Sequence, residues 1–455
     1  MLFLTALLFA ITSIGAIGIG KKTAGLLSWG SLVPMYFLFM LGLFPLISYV
    51  NGVYLTYLIV PTESDVTGLY LISSIGLVAF SCGYLFLYPR PLFKAQRSLT
   101  ARYARHVTAL FRSDLNVALF MLVTVAGALW SIAYGYFGLT SRDSSEISAS
   151  AGFIGIVSTL MSFLNIILWS NRFEGATSRY ATVLPWVSLA VMFVFAFASN
   201  SKGALLFPFV HVLLAYYFVK GRIPVKAIGA LVLFFFLFAY PLVQGFRFAI
   251  LFNVTEQSAA SMLPQLLDYM ISLDWLGAGD TPEGDKQAAL GRGIFSYLAH
   301  IYRTAGDTVP FLHGRTYFEG LENLVPRFIL PTKVDMNTGN WTGQMFDHVS
   351  EFDLITNVSP SYLGEFYMNN GVVGVIVGML ALGVIARIID ESIFKSRLTW
   401  LKVLFVMNII WLEAFIGTTF LVFVKTFATF MLLVFILSKM KARSVRSRHT
   451  SRQPS

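Results

Sequence analysis

Basic side chains recur in the C-terminal half of the chain, where they could gather around a phosphate or pyrophosphate. A guanidinium fork binds such a group with two parallel hydrogen bonds, and an ammonium supplies a point charge. The alternative for any single arginine is that it extends to lipid headgroups at a bilayer edge and binds no ligand. The candidates are Arg247, Arg292, His300, Arg303, His313, Arg315, Arg327 and Lys333.

Two of these arginines are spaced to lie on one face of a helix. Residues 291–305 have apolar side chains at helical spacing, and Arg292 and Arg303 are about three turns apart. His300 precedes Arg303 by one turn, within reach of the same ligand. We therefore expect Arg303, with His300 and Arg292, to contact a phosphorylated ligand.

The candidate proton acceptors are one carboxylate and one imidazole. Glu365 stands where an apolar run begins, flanked by aromatic residues, and is either a general base or an acid favoured by the helix dipole. His313, followed by Gly314 in a predicted turn, is either a base or an ordinary hydrogen-bonding loop residue. Tyr362, and Lys202 in the turn at 199–203, complete the candidate substrate contacts.

Motifs for metal and cofactor chemistry are missing from the sequence. It contains no glycine-rich phosphate loop, no His-Glu-x-x-His helix and no serine-nucleophile elbow. It also lacks an Asp-x-Asp motif, which would hold the metal of a sugar-nucleotide enzyme. We therefore expect neither a metal nor a cofactor.

The composition indicates that these residues are carried by a polytopic membrane protein. Of 455 residues, 56% are apolar and 12% are charged, about half the charged fraction of a soluble domain. Long apolar runs separated by short polar stretches predict an all-α protein with about 11 transmembrane helices. These runs lie near residues 1–20, 31–50, 68–88, 115–137, 151–170, 182–199, 204–219, 227–246, 366–386, 400–417 and 421–438.

The distribution of basic residues orients these helices. With the N-terminus outside and the C-terminus in the cytoplasm, 23 of the 33 lysines and arginines fall on the inner side, as the positive-inside rule requires. This arrangement explains the net charge of +10 without nucleic acid as a partner. The basic tail, residues 439–455, would then lie near anionic headgroups.

One long segment separates the predicted helices 1–8 (residues 1–247) from helices 9–11 (residues 365–438). Residues 248–364 hold 13 of the 23 acidic residues and six basic ones. A connection of this length is usually functional. We expect it to form a large outer loop that contains short helices and most of the polar chemistry.

Three stretches and the helix layout resemble a known family, the Wzy-type oligosaccharide repeat-unit polymerases (O-antigen polymerases) of bacterial inner membranes. The stretches are Ser-Asn-Ser-Lys-Gly at 199–203, the Pro-Arg…Pro-x-Lys element within 324–333, and Ser-Pro…Gly-Glu…Asn-x-Gly within 359–374. The interval from Arg303 to Gly314 also resembles the spacing of an arginine and a glycine in the periplasmic loops of some members.

The resemblance implies a reaction, its substrates and a location. A glycan on undecaprenyl pyrophosphate would be transferred to the next lipid-linked repeat unit at the periplasmic face, building O-antigen or a related surface polysaccharide. Expected partners are the lipid-linked glycans, membrane lipids, a chain-length regulator and a flippase. Two alternatives stay open, an O-antigen ligase and, from a different class, a transporter or flippase of lipid-linked glycans.

Overall fold

The described part of the chain is almost entirely helical. The computed structural model describes residues 1–43, 62–87, 114–133, 160–176, 179–198, 202–239, 294–322, 338–352, 358–396 and 398–413, with a few isolated positions. Its helices are α1 (Leu2–Ala24), α2 (Trp29–Phe37), α3 (Glu63–Phe86), α4 (Asp114–Ala133), α5 (160–173), α6 (Arg179–Ala198), α7 (Lys202–Lys220), α8 (Val225–Phe234), α9 (Ile294–Thr304), α10 (Arg315–Glu322), α11 (Thr338–Met345), α12 (Ser361–Ile389) and α13 (Thr399–Met407).

Three of the described helices are long and apolar enough to cross a membrane. They cover Leu2–Ala24, Glu63–Phe86 and Ser361–Phe394, the last being α12 with a π-helical turn at its end. They coincide with the predicted runs at 1–20, 68–88 and 366–386. Other runs form shorter apolar helices, among them Trp29–Leu43 and Leu205–Lys220, and the run at 421–438 lies almost wholly outside the described residues.

The chain divides into two compact units that cut across the segments expected from sequence. One unit comprises Met1–Ala101, Pro282–Leu398 and Phe405–Val424. The other comprises Arg102–Thr281, Thr399–Leu404 and Lys425–Ser455. The first therefore joins part of the predicted outer loop to α1, α2, α3 and α12.

Within the first unit, α3 and α12 pack with their backbones in close approach. A Cβ atom added at Gly83 would collide with the Leu380 carbonyl oxygen, and one added at Gly383 would collide with the carbonyl of Phe80. Small residues allow this approach between membrane helices. Gly76 lies against Val375, so residue numbers rise together along both helices and the two run parallel.

A buried carboxylate connects the C-terminal ends of α3 and α12 to the start of α2. Asp390, fully buried, accepts hydrogen bonds from the backbone N–H groups of Trp29 (2.8 Å) and Gly30 (2.9 Å) and from the Tyr84 hydroxyl (2.7 Å). It thereby supplies acceptors to the first N–H groups of α2, which have no partner within their own helix.

In the second unit, polar and aromatic contacts connect α5 with α6 and α7. The buried Asn165 donates to the Pro208 carbonyl at 3.2 Å and lies 3.4 Å from His211. Trp169 packs edge-on against Trp186 with ring centroids 4.9 Å apart. His211 is therefore part of the helix packing.

Candidate functional site

Arg303 is held in place by a buried acid and a histidine. Its Nη1 lies 3.4 Å from Oδ2 of Asp65, and its Nη2 lies 3.1 Å from Nδ1 of His300, one turn earlier in α9. Asp65 sits in the first turn of α3, where it forms a capping box with Thr62. The Arg303 side chain nevertheless remains 41% exposed, so part of its five-donor guanidinium faces outward.

The histidine beside Arg303 is held neutral. Because a guanidinium only donates hydrogen bonds, Nδ1 of His300 must be the acceptor and carry no proton. Burial, and then the charge of Arg303, lower the pKa of His300, whereas Asp347 and the Phe346 backbone act in the opposite direction. His300 therefore orients the guanidinium and adds no second positive charge.

An apolar cluster lies behind α9 and keeps its polar face in position. It is formed by Tyr297, Ile301, Ala305, Phe346, Met368 and Phe415, which are all nearly inaccessible. His348 stacks on Tyr297 at 4.6 Å between ring centroids, and burial lowers the pKa of His348 to about 4.

A second polar network connects the start of α12 to α10. Glu365 is completely buried, and its two carboxylate oxygens accept hydrogen bonds from the Thr316 hydroxyl (2.7 Å) and the Ile416 backbone N–H (2.6 Å). Asn369, one turn later, donates to the Thr316 hydroxyl oxygen at 2.8 Å and accepts from the Gly314 N–H at 2.8 Å. Both side chains thus hold the 314–316 segment against α12.

Next to this network, the helical path of α12 is interrupted. Asn370 and Gly371 leave helical geometry, and Gly371 has φ +59°, a conformation that favours glycine. The main-chain carbonyls of Met368 and Asn369 instead accept hydrogen bonds from the N–H groups of Leu312 and His313, both at 3.0 Å. The interruption therefore lets the loop before α10 dock on the helix.

Arg315 is engaged by neighbours within the same unit. Its Nε donates to Glu319 at 2.9 Å, and its guanidinium lies 4.7 Å from the ring centroid of Trp341. Glu319 is buried and also accepts from the Trp341 indole N–H at 3.2 Å. Arg315 is nonetheless 63% exposed, so its charge still faces the surroundings.

Comparisons with protein-family models, with curated proteins and with solved structures found no match. Within the part of the chain that the structure describes, no three histidine, cysteine or acidic side chains are grouped to hold a metal ion.

The structure brings some of the predicted residues together and leaves others apart. His300 and Arg303 are in contact with each other, and the side chains of His313 and Arg315 are exposed. Glu365 and Tyr362 are buried. Lys202 begins α7 in the other unit, with no described side-chain placement. Arg247, Arg292, Arg327 and Lys333 lie outside the described residues.

Several residues of the site were not among the candidates predicted from the sequence. Asp65 is distant in sequence from Arg303, and its only local signal is the Thr-x-x-Asp pattern of a capping box. Asn369 belongs to the Asn-x-Gly element of the resemblance, but its contacts with Gly314 and Thr316 follow only from the tertiary structure. Glu319 is buried, and its contact with Trp341 also follows only from the tertiary structure.

Proposed function

We propose that this protein is a metal-independent glycosyltransferase that polymerises undecaprenyl-pyrophosphate-linked oligosaccharide repeat units at the periplasmic face of a bacterial inner membrane. The observation that carries the proposal is the partly exposed Arg303 guanidinium, oriented by the buried Asp65 and by a neutral His300. A fixed fork with free donors suits a pyrophosphate, whose oxygens accept charged hydrogen bonds.

Arg303 contacts Asp65 at the start of α3, and this position supports a lipid-linked substrate. Asp65 lies in the first turn and Glu365 in the second turn of candidate membrane helices, and these helices run parallel. Their polar ends therefore face the same side of a membrane, where the pyrophosphate of a lipid carrier would lie. Lys21, Lys22 and Arg387 cluster toward the opposite ends, which supports a cytoplasmic location of those ends. We propose about 11 spans in all, with the N-terminus and the 248–364 loop in the periplasm.

The proposed reaction is a single displacement at an anomeric carbon. The acceptor hydroxyl of the incoming repeat unit loses its proton to a base and bonds to the anomeric carbon of the growing glycan. The bond between that carbon and the pyrophosphate oxygen breaks, and undecaprenyl pyrophosphate leaves with the electron pair. Arg303 stabilises the negative charge that develops on the leaving group.

The geometry suggests different roles for the two candidate bases. The side chain of His313 is exposed, and its backbone is fixed to Asn369, so an imidazole there can accept a proton from a bound hydroxyl. Glu365 has no exposed surface, and protein donors occupy both of its oxygens. We therefore assign Glu365 as a positioning residue and His313 as the base.

A transporter of lipid-linked glycans is the second candidate, and one observation favours it. Transporters bind substrates where a membrane helix is interrupted, near buried ionisable groups. α12 is interrupted at Asn370–Gly371, immediately after the buried Glu365 and Asn369.

The test uses purified protein in detergent micelles with undecaprenyl-pyrophosphate-linked repeat units, followed by gel separation of the products. A polymerase forms a ladder of chain lengths in detergent, whereas a transporter needs two compartments and forms none. We expect Arg303→Ala to lose the ladder and Arg303→Lys to slow it about 100-fold, because the fork is lost. Arg222→Lys, at an exposed arginine of the other unit, serves as the matched control.

Two outcomes would contradict the proposal. No ladder from the wild-type protein, together with movement of lipid-linked repeat units across proteoliposomes, would favour transport. Wild-type chain lengths from Arg303→Ala would show that Arg303 does not bind the pyrophosphate.

A further inference from the structure

The short helix α10 has its polar residues inside and its large apolar residues outside. Thr316 and Glu319 are buried, where they bond to Glu365 and Trp341. Phe318 and Leu321, three residues apart, are 67% and 53% exposed. This pattern is the reverse of a helix on a water-facing surface, which buries its apolar stripe.

The position of α10 places this face beside the apolar surface of a candidate membrane helix. The loop before α10 and its second residue are bonded to α12 between residues 365 and 369. The exposed apolar side chains of α12 begin with Val372 and Val373, 41% and 67% exposed. Val372 is only three residues beyond Asn369, so this apolar surface begins directly after the attachment of α10 along the chain.

Charge and aromatic residues at α10 also fit the boundary of a bilayer. Arg315 lies one turn before Phe318 on α10, keeps 63% exposure and stacks on Trp341. Arginine and tryptophan are both favoured where headgroups meet acyl chains.

We infer that the outer face of α10, formed by Arg315, Phe318 and Leu321, lies in the headgroup–acyl boundary of a phospholipid bilayer. The helix would then be a membrane-surface element that fixes the depth of the adjoining polar networks relative to the lipid. This inference requires a membrane and does not depend on the proposed glycosyl transfer.

The test measures the depth of a fluorophore in the full chain, reconstituted in phosphatidylethanolamine–phosphatidylglycerol vesicles. In a Cys82→Ser background, which removes the single native cysteine, bimane is attached at Phe318→Cys, at Leu321→Cys and at a control site. Asp307→Cys is the control, because Asp307 is an exposed polar residue in the turn after α9. Each label is quenched with doxyl-labelled lipid and, separately, with iodide in the buffer.

We expect doxyl lipid to quench positions 318 and 321 at least about twofold more than position 307, with iodide showing the reverse, since interfacial helices bury their apolar face roughly 5–10 Å deep. Equal access of iodide to all three positions would overturn the inference. Quenching by neither agent, or a disulfide between two Phe318→Cys chains, would also overturn it by showing that protein covers this face.

Discussion

Replacing Glu365 by glutamine separates a positioning role from a catalytic one. The Ile416 N–H can only donate, so the new side chain must turn its oxygen toward it and its NH₂ toward Thr316. The Thr316 hydroxyl oxygen already accepts from Asn369 and can accept a second hydrogen bond, but its own proton then has no acceptor.

The loss of stability expected for Glu365→Gln follows from the unpaired Thr316 hydroxyl proton. A buried hydroxyl without a partner costs about 1–3 kcal/mol. Glu365→Ala removes both acceptors and leaves a cavity, so we expect a larger loss, about 3–5 kcal/mol. Because the network holds the loop that carries His313, glutamine should keep transfer within about tenfold of wild type if Glu365 only positions this loop.

Two measurements on the same detergent-purified protein distinguish a positioning role of Glu365 from a catalytic one. Thermal unfolding followed by tryptophan fluorescence gives the order of Tm values, which we expect to be wild type, then Gln, then Ala. Initial rates of ladder formation give the catalytic effect. A wild-type Tm for Glu365→Gln combined with a rate loss of about 10²–10⁴-fold would refute the positioning role, because such a loss is typical of a removed general base.

Three further predictions concern packing and pH. Gly383→Ala should lower Tm through a cost of about 1–3 kcal/mol for separating two backbones, whereas Gly18→Ala, where an added Cβ meets nothing within 4 Å, should not; equal effects would contradict the packing argument. Asp390→Ala should lower the free energy of unfolding by about 3 kcal/mol. A double-mutant cycle with Tyr84→Phe should show that the two losses are coupled; additive losses would contradict a stabilising bond between Asp390 and Tyr84. Between pH 6.5 and about 4 the unfolded state binds the His348 proton and the folded state does not, so stability should fall as the pH falls, by at most about 1.4 kcal/mol per pH unit. His348→Phe, which keeps a stacked ring, should flatten that dependence of Tm on pH; an unchanged slope would assign it to other groups.

Local pattern predicted the three candidate membrane helices and one turn of the site. Hydropathy located the three longest described helices, since a run of about 20 apolar residues is sufficient to define a candidate span. The spacing of His300 and Arg303 placed them one turn apart on the predicted helix, and the structure shows that the two side chains contact each other. The turn at His313 also followed from sequence, and the structure gives His313 φ +47°.

The partners of these residues could not be read from local pattern. Asp65 reaches Arg303 across 238 positions of sequence, and Asp390 reaches Trp29 across 361. No short-range rule connects residues so far apart, and an acid beside a polar stretch reads as solvated in sequence.

By itself, the sequence determined the apolar character of the chain, the positions of its long helices and the kinds of side chain available for phosphate chemistry, because these depend on composition and periodicity. Only the tertiary structure decided that α3 and α12 run parallel with glycine contacts, that Arg303 is oriented by Asp65, and that Glu365 is enclosed by Thr316 and Ile416. The physical reason is that burial and hydrogen-bond pairing are properties of the packed chain: whether a carboxylate is exposed or satisfied by protein donors depends on segments that meet only after the helices associate.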